Sequence, residues 1–434
     1  MKKNIVFIPI ILLLFAAPSL MANGLNLNGL GARAISMGGA FVGLADDYSA
    51  VFWNPAGIAF FKNKTLGVSG DLIMPSATYE LSMAGMTFID AEAKANAYPS
   101  GIAAYYHPIS EDLVAGIGVY TPSGLGAEWD GSDFFVPMLS PLQSQPYKQK
   151  SFIGVVTIAP AVAYQINEFV SVGASLNINY GFFNLSRWAG GSIQSISTPM
   201  GPMLVPIDYG QYEEESTGWG IGATFGALVK PCDMVSLGVT FRTPTKVSMS
   251  GEASISNFST LGFPGESEFE RDVTYPMWLA GGVALHPIEN FTLTLDAQYT
   301  NWAKLDKLET EFTDSVWKMA MAGSAADVME LEWKDCVQIR FGAEYVWSGI
   351  AFRAGYYMDP APAPDKTMNV LIPSFDFTGI TFGLGYRLNN LHVDAMLEYL
   401  MAKERDIPVN AVNQQPGIYN MSIIAPGISI SYNW

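Results

Sequence analysis

The residues that most often do chemistry are scattered in this chain. Its only histidines are His107, His286 and His392. The first two each precede a proline, and the third follows the turn signal Asn389-Asn390. Acid–base catalysis and Ser-His-acid hydrolysis need the imidazole within hydrogen-bond reach of a nucleophile. No segment pairs a histidine with such a motif, and neither P-loop spacing nor Cys/His metal spacing is present. Cys232 and Cys336 each lack a neighbouring Cys or His, so no metal site is suggested and two free thiols are expected. An enzyme and a bound cofactor are therefore not expected. The remaining signals concern shape. Asp46 or Asp47 can cap a short helix through Phe52, and Asn54-Pro55-Ala56 reads as a second cap with Pro at the first helical position. In Pro122-Ser123-Gly124-Leu125-Gly126 the proline removes a ladder donor and the glycines weaken pairing. This is either an opening in a strand-built wall or the start of a loop.

The elements that must position these residues follow from composition. Hydrophobic residues make up 49% of the 434, charged ones only 15%, and the net charge is −17. Such an acidic surface does not seek nucleic acid. After the N-terminus no stretch reaches the length of a membrane helix. A hydrophobic chain without hydrophobic runs must spread its apolar residues by alternation. Val170, Val172, Ala174, Leu176, Ile178 and Tyr180 fall on one face, with Ser171, Gly173, Ser175, Asn177 and Asn179 on the other. The segments at 217–229 and 291–302 repeat the pattern. The polar face is small and neutral, unlike the charged outer face of a sandwich. Strands are expected at 65–74, 98–107, 112–121, 149–164, 169–185, 217–229, 234–250, 270–286, 291–302, 336–347, 350–358, 376–388, 391–402 and 420–434. The links between them alternate strictly, short then long. The fold class is thus all-β, a transmembrane antiparallel β-barrel of about 14 strands with short periplasmic turns and long outer loops.

Residues 1–22 read as a secretory signal, with Lys2 and Lys3 before the apolar Ile5 to Ala17 and a cleavage site near Ala22. Residues 23–62 are Gly-rich, carry helix signals and suit a plug inside the barrel, which occupies 63–434. Tyr432 and Trp434 share one face of the last strand, an ending that barrel assembly machinery reads. Glu213-Glu214-Glu215 reads as solvated loop charge or as a cation site near lipopolysaccharide. Phe134-Phe135-Val136, Met138-Leu139 and Val316-Trp317 to Met321 are apolar loop stretches that could form an outer groove or a packed loop core.

Gly29-Leu30-Gly31-Ala32-Arg33-Ala34, Ala45-Asp46-Asp47 and Asn54-Pro55-Ala56 together resemble the N-terminal hatch of the FadL family. Arg187-Trp188-Ala189-Gly190, Tyr299-Thr300-Asn301-Trp302, Trp333-Lys334-Asp335 and Phe352-Arg353-Ala354-Gly355 extend the resemblance along the chain. The resemblance implies an outer-membrane transporter of long-chain fatty acids or of aromatic or aliphatic hydrocarbons in a Gram-negative cell. Cargo would bind first in an outer groove, then inside, and leave sideways through a gap made by a kink in the third strand, at Pro122, Ser123, Gly124 and Gly126. It implies that Arg187, beside Trp188, helps hold a carboxylate, with the apolar loop residues Phe134, Phe135 and Trp317 as candidates for the outer groove from their own character, and that Asn54 pairs with the backbone opened by the kink. The family's second basic anchor is missing before Trp333, where the sequence reads Asp327 to Glu332. Expected partners are a hydrophobic small molecule, outer-membrane lipid, lipopolysaccharide and the assembly machinery, with the chain a monomer. A general porin would lack the plug, and a surface adhesion barrel would work through its loops.

Overall fold

Alternation asks each strand to show one face to lipid and the other to the lumen, and a closed sheet satisfies its backbone in doing so. A computed structural model describes residues 24–199, 201–324, 327–409 and 415–434. The signal segment expected at 1–22 lies outside the described residues. The wall has 14 antiparallel strands. They are β1 (Thr65–Met83), β2 (Tyr98–Pro108), β3 (Leu113–Trp129), β4 (Gln149–Gln165), β5 (Val170–Trp188), β6 (Gln211–Cys232) and β7 (Val235–Arg242 with Thr245–Ile255). β8 (Glu266–Tyr275 with Trp278–Ile288), β9 (Phe291–Thr300), β10 (Cys336–Trp347), β11 (Ile350–Asp359), β12 (Phe377–Leu388), β13 (Leu391–Ala402) and β14 (Gly417–Asn433) follow. β1 closes on β14 from Thr65↔Asn433 to Glu80↔Ile418.

Faces sort as the pattern demands. In β6, Trp219, Ile221 and Phe225 are each more than half exposed on the lipid side, while Thr224 is fully buried. Tight links use left-handed backbone: Ser348 and Gly349 stand at φ 50° and 81°, the mirror-image turn that suits twisted hairpins. Neither Cys232 nor Cys336 is in a disulfide, as expected.

Two strands expected to be continuous are not. β7 breaks at Thr243-Pro244 and β8 at Pro276-Met277. A proline offers no ladder donor. At the β7 break the Thr243 hydroxyl accepts the Ala223 N–H at 2.9 Å, standing in for a backbone carbonyl. Strands also run further toward the loop end than alternation suggested, β1 to Met83 and β3 to Trp129. There the lipid-facing requirement ends and apolar periodicity with it.

The N-terminal segment lies in the lumen. It holds two short helices, α1 (Ala32–Ser36) and α2 (Ala50–Trp53), and a 3-10 turn over Pro55–Phe60. Its apolar side chains, including Leu30, Phe41, Tyr48, Val51 and Trp53, are almost completely buried against inward-facing wall residues.

Candidate functional site

Asn54 caps the 3-10 turn as its sequence predicts. Its Oδ1 accepts the Ala56 N–H at 3.1 Å, and Pro55 occupies the first helical position. Its Nδ2 donates to the carbonyls of Val42 at 2.9 Å and of Ala227 in β6 at 3.1 Å. Asn54 thus fastens the plug to β6, and the expected pairing with the broken backbone of β3 is not made. A side chain at Gly226 would collide with Asn54 Oδ1, so a glycine there lets the plug approach. The helix before it is capped differently from expectation. Ser49, not an aspartate, is the N-cap of α2. Asp47 accepts the Ser49 N–H and hydroxyl at 2.8 and 2.6 Å. Burial raises its carboxyl to about 6, against the pull of Arg33 and the Ser49 bonds. Asp46 pairs with Arg33.

On the opposite side charged groups do the fastening. Arg33 donates to Glu344 of β10 at 2.9 Å, and Arg353 of β11 bridges Glu344 and Asp394 at 2.5 and 2.7 Å. Arg340 donates to the Gly38 carbonyl at 3.2 Å, and Asp296 accepts the Val42 N–H at 2.6 Å. Inward charges that alternation left without lipid-compatible partners are thus matched to one another and to the plug.

The break in β3 has a definite form. β2 and β3 pair only from Pro108↔Val114 to Ile102↔Tyr120. At the next position the Thr121 hydroxyl accepts the Gly101 N–H at 3.1 Å. On its other side β3 slips by one residue against β4, from Tyr120↔Thr157 to Ser123↔Val155, a bulge at Thr121-Pro122. The edge freed from β2 is taken by the start of the plug. Leu27 donates its N–H to the Pro122 carbonyl and Gly124 donates to the Leu25 carbonyl, both at 3.0 Å. The Ser123 hydroxyl donates to Asn26 Oδ1 at 3.0 Å.

Behind this seal lies a cavity of about 160 Å³, lined by Asn26, Tyr98, Ser123, Gly124, Gly126 and Met396 among others. It touches both faces of the wall. Val155, Glu398 and Leu400 stand at inward positions, while Phe152 and Phe182 share the parity of the lipid-facing residues of their strands. Tyr98 lies where a Gly126 side chain would stand and stacks on Phe152, which packs on Phe182 at 5.6 and 5.1 Å. A second cavity, of about 580 Å³, sits toward the loop end and includes Phe134, Arg187, Trp188, Tyr212 and Leu371 in its lining. The stretch 369–375 separates the two, with Leu371 on the outer and Phe375 on the inner one.

A plugged 14-stranded wall with this geometry has known counterparts. The family described as "Outer membrane protein transport protein (OMPP1/FadL/TodX)" matches residues 13–427. The chain belongs to the OMPP1/FadL/TodX family. It is thereby an outer-membrane transport protein for hydrophobic compounds rather than an enzyme. A 47 kDa outer membrane protein of Pasteurella multocida is 23% identical over 424 residues, covering 92% of this chain and 91% of its own. Among solved structures, a Pseudomonas aeruginosa FadL homologue superposes with a TM-score of 0.76 at 17% identity, covering 95% of this chain and all of its own. The Pseudomonas putida toluene transporter TodX gives 0.70 at 17% identity, covering 94% and 99%. These two likenesses concern the fold.

Against this FadL-family frame the remaining predicted residues divide. Arg187, Trp188 and Phe134 do meet at the outer cavity. Arg187 places its guanidinium 5.0 Å above the Tyr212 ring. Trp188 spends its indole N–H on Asp208 at 2.8 Å, and Phe134 stacks on Tyr79 at 5.8 Å. Phe135 and Trp317 line neither cavity. Trp317 is sealed in a loop core against Phe258 and Phe312, its N–H on the Pro264 carbonyl at 2.8 Å, so it packs the loops instead of facing cargo. Tyr432 and Trp434 stack on one another at 5.7 Å on the lipid face. Sequence reading missed Asn26, Tyr98, Phe152 and Phe182. Only the outward parity of the last two could have been read in advance.

Proposed function

We propose that hydrophobic molecules, long-chain fatty acids or hydrocarbons, enter between the outer loops and leave sideways through the window between β2 and β3. The observation that carries this reading is the single cavity lined by residues from both faces of the wall. Apolar cavities of about 150 Å³ accept a benzene-sized molecule, and the inner one is of that order. The outer cavity serves as the receiving site, with Arg187, Trp188 and Phe134 in its wall, and the 369–375 stretch as the partition to be crossed. Residues 24–62 act as the hatch. Leu25 to Leu27 form its movable edge, because they hold β3 by two backbone bonds and one side-chain bond. Release at lipid level spares the cargo a passage through water, which apolar surface resists. Tyr432 and Trp434 present an outward aromatic pair to the assembly machinery, and lipopolysaccharide surrounds the loop end.

The test replaces residues 122–126 by a regular alternating strand sequence and follows entry of labelled oleate and of a small aromatic hydrocarbon into cells. Uptake of whichever of the two the wild type carries should fall to that of cells lacking the protein. Unchanged uptake of both would rule out the lateral route.

A further inference from the structure

The charges along the proposed path define what can travel it. In the outer cavity the charged lining residues are Arg187, Arg271, Glu214 and Asp327, two of each sign. The arginine best placed to take an acid is already occupied. Arg271 makes a two-pronged contact with Glu214, Nη1 to Oε1 at 2.6 Å and Nη2 to Oε2 at 2.9 Å. Both side chains are almost fully buried. The guanidinium lies between the rings of Phe183 and Phe269, 4.9 and 5.1 Å from their centres. The Tyr212 hydroxyl donates to the same carboxylate, and the Tyr212 ring carries Arg187 on its face. Glu214 therefore fills, from within the chain, the position that a bound carboxylate would take beside Arg271.

The inner cavity is one-sided. Its charged lining residues are Asp71, Asp359 and Glu398, and among the described residues that line it there is no Lys, Arg or His. Ser69 donates to Asp71 at 3.4 Å, the Tyr357 hydroxyl to Glu398 at 2.6 Å, and Gln338 to Asp359. Whatever the protonation of these acids, none supplies a cation. A carboxylate entering this space would be desolvated with nothing to pair it. An uncharged hydrophobe meets no such penalty.

We propose that the path selects hydrophobes without a carboxylate, and that Glu214 sets this selection at the outer cavity by neutralising Arg271. This rests on the transport reading above. The two can fail separately. Purified wild-type protein in detergent is loaded with a neutral apolar dye, N-phenyl-1-naphthylamine, which is displaced at pH 8 by decanol or by decanoate. The readout is the ratio of the two displacing concentrations, compared between wild type and Glu214→Gln. Freeing Arg271 should move the ratio about tenfold toward decanoate, the worth of one charge-assisted pair. The double variant Glu214→Gln/Arg271→Gln, which removes both charges, should return the ratio to the wild-type value. Folded barrel is verified for each by its heat-modifiable electrophoretic mobility. Should Glu214→Gln not fold, the double variant alone decides, since removing both charges must not weaken decanoate relative to decanol. A ratio unmoved by Glu214→Gln, or selective loss of decanoate in the double variant, overturns the selection while leaving transport intact. Failure of decanol to displace the dye from the wild type overturns both.

Discussion

Two prolines sit in neighbouring wall strands with opposite results. Pro160 lies inside β4, and the β4–β5 ladder skips it, but pairing resumes in the same register, from Ile158↔Ile178 to Ala161↔Ser175. On its other side Pro160 still faces Ile117. Pro122 lies inside β3, where the ladder to β4 slips by one residue and the ladder to β2 has ended at Tyr120. One lost donor therefore leaves a wall intact, because the flanking bonds hold the register. A lost donor joined to a slipped register and a departed neighbour makes a window. The plug then supplies, through Leu25 to Leu27, the partner that β2 no longer provides.

The sharpest way to break this comparison is to weld the window. Asn26 and Ser123 face one another across an antiparallel bridge, so Asn26→Cys/Ser123→Cys, in a chain with Cys232 and Cys336 replaced by Ser, can be joined by oxidation. Uptake of a labelled hydrophobe should drop about tenfold or more on oxidation and return with reductant, a change on the scale of removing a required conformational step. A same-sized loss without oxidant would point to a packing defect.

Next in size is the plug's own fastening. Asn54→Ala removes a cap and the bonds to Val42 and Ala227, at a cost of about 1–2 kcal/mol locally. Amide exchange over 50–60 should speed up accordingly, with the wall strands unaffected; unchanged protection would mean that packing alone holds the turn. The prolines themselves come third. Pro160→Ala should leave uptake at the wild-type level, since its register does not depend on it. Pro122→Ala should lower uptake by about twofold only, because the bulge and the missing β2 pairing remain. Equal effects of the two would erase the distinction drawn between them.

The smallest effect is a pH dependence at Asp47. Its folded carboxyl titrates near 6, above the ordinary value of 3.8. The fold therefore favours the protonated form, so the contribution is whole below pH 4 and is lost as pH rises through 6. Exchange protection over 47–53, corrected for intrinsic rates, should weaken from pH 5 to pH 7 in the wild type and stay flat in Asp47→Asn.

How much of this could be read from residues alone differs by element. Strand positions and closure were legible because lipid on one side and plug on the other enforce alternation. The cap at Asn54 was legible because its partners are two residues away. Its second partner, Ala227, was not, since the bond spans the lumen. The break at Pro122 could be located but not characterised. The partners that its freed edge takes, residues 25–27, lie far back in the chain. Three consecutive glutamates at 213–215 looked solvated. Alternation places only the middle one inward, and Glu214 is the buried one. That parity was available in the sequence, but the partner at Arg271 was not.

The uneven fastening of the plug has a mechanical consequence. Toward β10 it is tied by the Arg33–Glu344 ion pair, and the Glu344 carboxylate is itself held by Arg353 of β11, which also pairs with Asp394 of β13. Toward β3 it is tied by bonds in series along an edge, which yield one after another from the Leu25 end. A tug or a thermal kick of the same size is resisted in shear on one side and relieved by peeling on the other. The plug is therefore a leaf on a hinge, stiff at the jamb and compliant along one margin, and the compliant margin faces a place where the wall has let go of its own neighbour.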